Sequence, residues 1–309
     1  MSVATSAIGY GIVALFLVVC GYYVQSHWHE FVFLREVSYP EALAAGLLVL
    51  LSYLVSAYQM NLFLEKFGLT LGPMELIALT NGMILGNLVI PMRGGSGGLA
   101  VYLKKVHDLD FQAFAAIYGG TALLTALINT ALAVIALVIL QLVHGFHHGP
   151  LSVLVVGVFA FCLYLSLYPP PVRWRGKGVV GLVFRAAHSW RSLSRDRILL
   201  IRVSASLLVI SLALCASFYC IYRALGEPLS ISAVIVTSSL GNVANLVPIT
   251  PGSLGIFDAV TIQIPQFLGL DPARSIAGTL VFRALTFFWA CLLGIPGMIY
   301  MVGRHTARR

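Results

Sequence analysis

Apolar residues run through this chain in unbroken blocks rather than in alternation. A helix needs about 20 such residues to cross a bilayer. Blocks of about that length or longer fall at about 7–24, 41–64, 74–91, 111–143, 150–168, 200–224, 229–248 and 274–302. They predict about eight transmembrane helices. Two shorter pieces lie between them, at 95–107 and 253–269. Continuous blocks exclude a β-barrel, whose strands alternate apolar and polar positions. No segment reads as a soluble domain. The 95–107 piece carries Lys104, Lys105 and His107, too polar for a lipid-facing span, and reads as re-entrant. The expected fold is an all-α polytopic membrane protein with two re-entrant or broken-helix segments.

The two shorter pieces follow near-identical breaks. Pro91 to Gly98 reads PMRGGSGG and Pro248 to Gly255 reads PITPGSLG. Aligned without a gap, Pro91 meets Pro248, Gly95 meets Gly252, Ser96 meets Ser253 and Gly98 meets Gly255. Each break follows an apolar helix bearing asparagines. Each precedes a short segment, a Leu-Asp pair (Leu109-Asp110, Leu270-Asp271) and a long apolar helix. Helix breakers at corresponding positions of two halves point to a site at a repeat interface. The halves fall at about 1–148 and 149–309, with five segments in each, and an odd number inverts the second half relative to the first.

Composition sharpens the class. The chain of 309 residues is 59% hydrophobic and 10% charged, with mean hydropathy +0.94, far too little polar surface for a soluble domain. The first block, about Ala7 to Val24, has no basic n-region and no A-x-A-like cleavage site, so it reads as a retained helix. The net charge of +8 is concentrated: eight of nineteen Lys and Arg lie between Arg173 and Arg202, against the single acid Asp196. That places the loop 169–199 on the cytoplasmic side, together with the tail Arg304, Arg308 and Arg309. Within it, Gly181 to Arg197 reads either as an interfacial helix, with Leu182, Ala186, Trp190 and Leu193 on one face, or as an ordinary basic loop. A juxtamembrane basic loop points to anionic lipid head groups and not to nucleic acid. The cysteines (Cys20, Cys162, Cys215, Cys220, Cys291) all sit in apolar blocks and read as small buried hydrophobes.

The candidate chemistry gathers at the breaks. Proline removes a backbone donor and glycine admits turns; free backbone polar groups survive in a membrane only inside protein or at a wet cavity. Pro91, Pro248 and Pro251 are the breakers. Helices resuming after them offer N–H groups and positive dipole ends suited to phosphate or carboxylate. Gly94, Gly95, Gly97 and Gly98 admit close approach of a head group, and Gly252 does the same in the second half. Ser96, Thr250 and Ser253 supply hydroxyls. Arg93 either meets a phosphate, for which its planar fork is suited, or snorkels to the interface. Asp258 and Arg283 form either a structural pair or part of a phosphate site. Asn81, Asn87, Asn242 and Asn245 either bond between helices or line the polar path. His144, His147 and His148 crowd one loop without a nearby carboxylate or thiolate, which argues against a metal site. No cofactor motif and no catalytic motif is present.

With these motifs the chain resembles the lysylphosphatidylglycerol synthase membrane-domain family of flippase-like proteins, as a stand-alone member without the aminoacyl-transferase domain. The resemblance rests on Asn87 to Gly95 with Tyr102-Leu-Lys-Lys, on Asn245 to Gly255, and on the late Arg283. It implies movement of lipids with large polar heads between leaflets: aminoacylated phosphatidylglycerol, polyprenyl-linked sugars or hopanoid-type lipids. Two places depart from the family's pattern. Ala57 to Asn61 stands where an Arg-Trp pair is common, and Gly120-Thr121-Ala122 where a Glu-Arg pair is common. The expectation is a translocase of polar or anionic lipids in a bacterial inner membrane, without an enzymatic role, whose substrate contacts are the residues named at the breaks. The alternatives are a non-transporting partner of a lipid-biosynthetic enzyme and an integral-membrane enzyme acting on lipid-linked substrates.

Overall fold

The computed structural model describes residues 37–145, 149–168, 196–227, 229–247 and 250–306. The first block at 7–24, the loop 169–195, His147 and His148, Pro248, and the last residues of the basic tail lie outside the described residues. The side chains of His144 and Arg304 do too.

The described residues form the helices α1 (Tyr39–Lys66), α2 (Pro73–Val89), α3 (Gly94–His107), α4 (Phe111–His144), α5 (Gly149–Leu167), α6 (Arg197–Ala224), α7 (Ile231–Ala244), α8 (Ile256–Phe267) and α9 (Pro272–Thr306). Helices α1, α4, α5, α6 and α9 contain stretches long and apolar enough to cross a membrane. The blocks at 74–91 and 229–248 form helices of only 17 and 14 residues, about 25 and 21 Å at 1.5 Å per residue, less than the ~30 Å hydrocarbon core.

Sequence chemistry sets the helix ends. Pro73 begins α2 and Pro272 begins α9 at the position where a missing N–H costs nothing. Asp196 and Ser230 cap α6 and α7 by accepting from Leu199 N (3.1 Å) and Ala233 N (3.3 Å). Ile90 takes an extended conformation (φ −100°, ψ 127°) because Pro91 follows it, and α2 stops there. The duplicated Leu-Asp pairs have a matching role. Leu109 and Leu270 are buried, and Asp110 and Asp271 occupy the caps of α4 and α9, where the Asp271 carboxylate accepts from Arg274 N at 3.2 Å.

α2 and α3 form an antiparallel hairpin. At its tip α3 returns so tightly that a Cβ on Gly86 would lie 2.6 Å from the Gly95 Cα. At its open end His107, the last residue of α3, stands 3.6 Å from Glu75 in the first turn of α2. α7 and α8 form a second hairpin, with Ile264 of α8 in one apolar cluster with Ala233 and Val236 of α7. Both hairpins are shorter than a full crossing, and they meet at their tips. The packing repeats between the halves: α1 packs along α6, α2 along α9, and α4 along α7. Exchanging α1–α4 with α6–α9 leaves those pairings unchanged. Small residues allow the close crossings, as expected where lipid supplies no hydrophobic drive. Gly294 of α9 faces the Asn81 carbonyl of α2, where a Cβ would lie 2.6 Å from the oxygen. Ala133 and Ala136 of α4 are fully buried in the cluster shared with α7.

Candidate functional site

The two breaks share one backbone conformation, three residues away from the gapless alignment. Met92 (φ 57°, ψ 30°) and Arg93 (φ 54°, ψ 48°) follow Pro91. Gly252 (φ 56°, ψ 20°) and Ser253 (φ 53°) follow Pro251. Pro91 therefore corresponds by conformation to Pro251 and not to Pro248, and Arg93 corresponds to Ser253. The first break goes straight into its helix, whereas the second spends extra residues first, which the identity of short motifs hides. Left-handed backbone costs about 1–2 kcal/mol at each non-glycine residue, so each turn needs bracing from its surroundings.

The second turn is braced completely. Arg283 of α9 donates through Nε to Asp258 Oδ1 (2.7 Å), through Nη2 to Asp258 Oδ2 (3.1 Å) and through Nη1 to the Gly252 carbonyl (2.7 Å). Its guanidinium lies 4.4 Å over the Phe257 ring. Asp258 Oδ2 also accepts from Gly255 N at 2.9 Å, and the residue is 1% exposed. Thr250 Oγ1 donates to the Leu254 carbonyl (2.6 Å) and Ser253 Oγ to the Asn245 carbonyl (3.1 Å). Phe218, Phe257 and Phe282 stack beside the pair, with Phe218 and Phe282 centroids 4.2 Å apart. Asp258 and Arg283 form a close ion pair.

The first turn is braced less fully. Arg93 Nη1 donates to Tyr118 Oη (2.6 Å), and Arg93 Nη2 donates to the Asn245 carbonyl of the second half (2.6 Å). The second bond joins the two hairpin tips, and Gly252 is seated against Leu88, where a Cβ would lie 3.3 Å from the Leu88 carbonyl oxygen. Among the described residues Arg93 has no carboxylate within ion-pair distance. Ser96 bonds Tyr118 Oη (2.8 Å), and Asn87 Oδ1 accepts from Ser96 N (2.9 Å). Gly94 and Gly95 are needed for packing. A Cβ on Gly94 would strike the Ile90 side chain, and one on Gly95 would lie 2.6 Å from Asn87 N. Gly97 and Gly98 face open space.

The asparagines bond to protein, Asn81 through its Nδ2 alone, and do not line the cavity. Asn87 stitches the first hairpin, Asn242 Nδ2 reaches Asn129 Oδ1 of α4 (3.1 Å), Asn81 Nδ2 bonds the Ile77 carbonyl (2.7 Å) and Asn245 contributes its carbonyl.

Arg93 stands at the wall of a cavity of about 190 Å³ between α1, α2 and α4. Ser56, Gln59, Thr80, Tyr118, Thr121 and Thr125 form its polar lining, and Met60, Phe63, Met83, Ile84, Ile117, Ala122 and Leu246 its apolar walls. Gln59 and Thr80 are 7% and 1% exposed, yet Gln59 Nε2 and Thr80 Oγ1 have no hydrogen-bond partner. Orphaned buried polar atoms cost about 1–3 kcal/mol each and call for a partner. Of the expected contacts, Arg93 lines this cavity; Ser96 and Asn87 brace the first turn, and Asn245, Thr250, Gly252, Ser253, Asp258 and Arg283 take part in the bonds that brace the second. Gln59, Thr80 and Tyr118 were not singled out from the sequence. The signal that pointed there was the pair of departures from the family pattern: Gln59 and Met60 lie in the first, Thr121 and Ala122 are in the second, and both face one space.

Long apolar helices around two short helical hairpins, with an arginine-bearing cavity where the tips meet, define an α-helical multi-pass membrane protein. The chain belongs to the family described as the lysylphosphatidylglycerol synthase TM region, whose model matches residues 3–294. It is also similar to a UPF0104 membrane protein of Methanothermobacter thermautotrophicus, 24% identical over 247 residues, covering 71% of this chain and 72% of that protein.

Proposed function

We propose that this protein is a lipid translocase, a flippase or scramblase, in which the cavity under Arg93 receives a polar head group crossing the membrane while the acyl chains stay in lipid. Removing a charged head from water into hydrocarbon costs tens of kcal/mol by Born arguments. Arg93, the orphaned donors of Gln59 and Thr80, and the hydroxyls around them replace part of the lost hydration. A volume of 190 Å³ equals about six waters at ~30 Å³ each, room for a phosphate ester and a few waters but not for a diacyl tail. The observation that carries the reading is an arginine in an apolar stretch, without a carboxylate partner among the described residues, set in a mostly apolar cavity that carries a few hydroxyl and amide groups where the two helix breaks meet. Intramembrane cations of that kind mark substrate paths. The family description, which names a lipid synthase, agrees with a lipid substrate.

In this reading the halves have opposite orientations in the plasma membrane, the hairpins enter from opposite faces, and the basic loop and C-terminus are cytoplasmic. The protein moves lipid without itself catalysing a covalent step. Purified protein in liposomes, scored by accessibility of labelled head groups to a membrane-impermeant quencher, tests the proposal. The wild type is expected to transfer anionic or glycosylated lipids. Arg93→Ala is expected to slow transfer at least about tenfold, equivalent to 1.4 kcal/mol. Gly252→Leu, which crowds Leu88 at a positive-φ turn, is expected to abolish it. Absence of transfer by the wild type across a panel of such lipids overturns the proposal.

A further inference from the structure

We infer that the cavity between α1, α2 and α4 selects a net-anionic phosphate-ester head group and rejects cationic, aminoacylated heads. The inference rests on the translocase reading above and adds the substrate class. Its basis is the charge of the lining. Arg93 is the one ionised side chain among the lining residues, and no carboxylate lines the cavity. Arg93 also occupies the N-cap of α3, so its charge adds to the positive end of that helix instead of opposing it. A cation at a helix N-terminus is unfavourable by itself and becomes favourable once an anion sits between. The guanidinium has two donors engaged, by Tyr118 and Asn245, out of the five such a group carries.

The two orphaned atoms of the lining agree. Gln59 Nε2 has only hydrogens to offer, and Thr80 Oγ1 can offer its own. Thr121 and Thr125 spend their protons on the Ile117 and Thr121 carbonyls, which leaves oxygens that accept from glycerol or sugar hydroxyls. A lysyl ammonium would enter beside Arg93 with no carboxylate to offset the repulsion.

Native mass spectrometry of the protein in phosphatidylcholine nanodiscs, titrated with dihexanoyl probes, tests the assignment. Phosphatidylglycerol is expected to bind at least tenfold more tightly than lysyl-phosphatidylglycerol or phosphatidylcholine. Arg93→Gln is expected to erase that preference, and Ala122→Glu, which adds a carboxylate to the cavity wall, to reverse it toward the lysyl lipid. Melting curves identify variants that fold, and Ala122→Glu keeps the test open if Arg93→Gln does not. Equal or inverted preference in the wild type, or a preference unchanged in a folded variant, overturns the inference. Glycerol 3-phosphate separates a lipid from a soluble ester: it is expected to bind more than tenfold more weakly than the diacyl probe, and binding of equal strength overturns the lipid assignment. Head-group transfer without this preference sinks the selectivity and leaves the translocase standing; the preference without transfer does the reverse.

Discussion

Gly95 and Gly97 are two positions apart on α3 and differ in their surroundings. A Cβ on Gly95 would press into the backbone of α2, which has no means of yielding, whereas Gly97 has nothing within 4 Å. Gly95→Ala is therefore expected to destabilise the protein by at least ~1–3 kcal/mol, the usual cost of overpacking, and Gly97→Ala to leave it unchanged, as read from thermal melting in detergent. The Asp258–Arg283 pair gives a second contrast. Asp258→Ala strands a mostly buried guanidinium and is expected to cost about 3–5 kcal/mol, while the double change Asp258→Leu with Arg283→Met is expected to cost much less; chemical denaturation of both distinguishes them. Arg93, Asp258 and Arg283 were legible in the sequence because a charge in an apolar block is conspicuous. Gln59 and Thr80 were not, because a single polar residue in an apolar helix reads equally as an interhelical hydrogen bond, and only coordinates show that theirs is missing.

Among the elements, the long spans could be read from block length alone, whereas the helix starts at Pro73, Asp196, Ser230 and Pro272 came from the structure. The short helices α2 and α7 were less legible. Their composition is as apolar as that of a span, and their shortness follows from how the chain folds back at the breaks. The register between the two breaks was misleading for a related reason: identical letters aligned Pro91 with Pro248, while dihedral angles align it with Pro251. At the α2–α9 crossing, Gly294 lies against the Asn81 carbonyl and Gly157 of α5 faces open space. Gly294→Leu is expected to lower the melting temperature well below that of Gly157→Leu, since only the former forces two helices apart.

For the whole molecule, the repeated packing of α1 on α6, α2 on α9 and α4 on α7 leads to a test of orientation. Thr70 follows α1 and Arg223 ends α6, and both are exposed. In a background lacking the native cysteines, Thr70→Cys and Arg223→Cys are expected to react with an impermeant maleimide from opposite sides of sealed vesicles; reaction from one side would exclude inverted halves. The crossed partnership of the helices has a mechanical consequence. α2 is locked backbone to backbone with α9, and α4 is fastened to α7, so neither repeat travels as its own rigid block. Any rocking that opens the space under Arg93 must carry helices from both halves of the chain together.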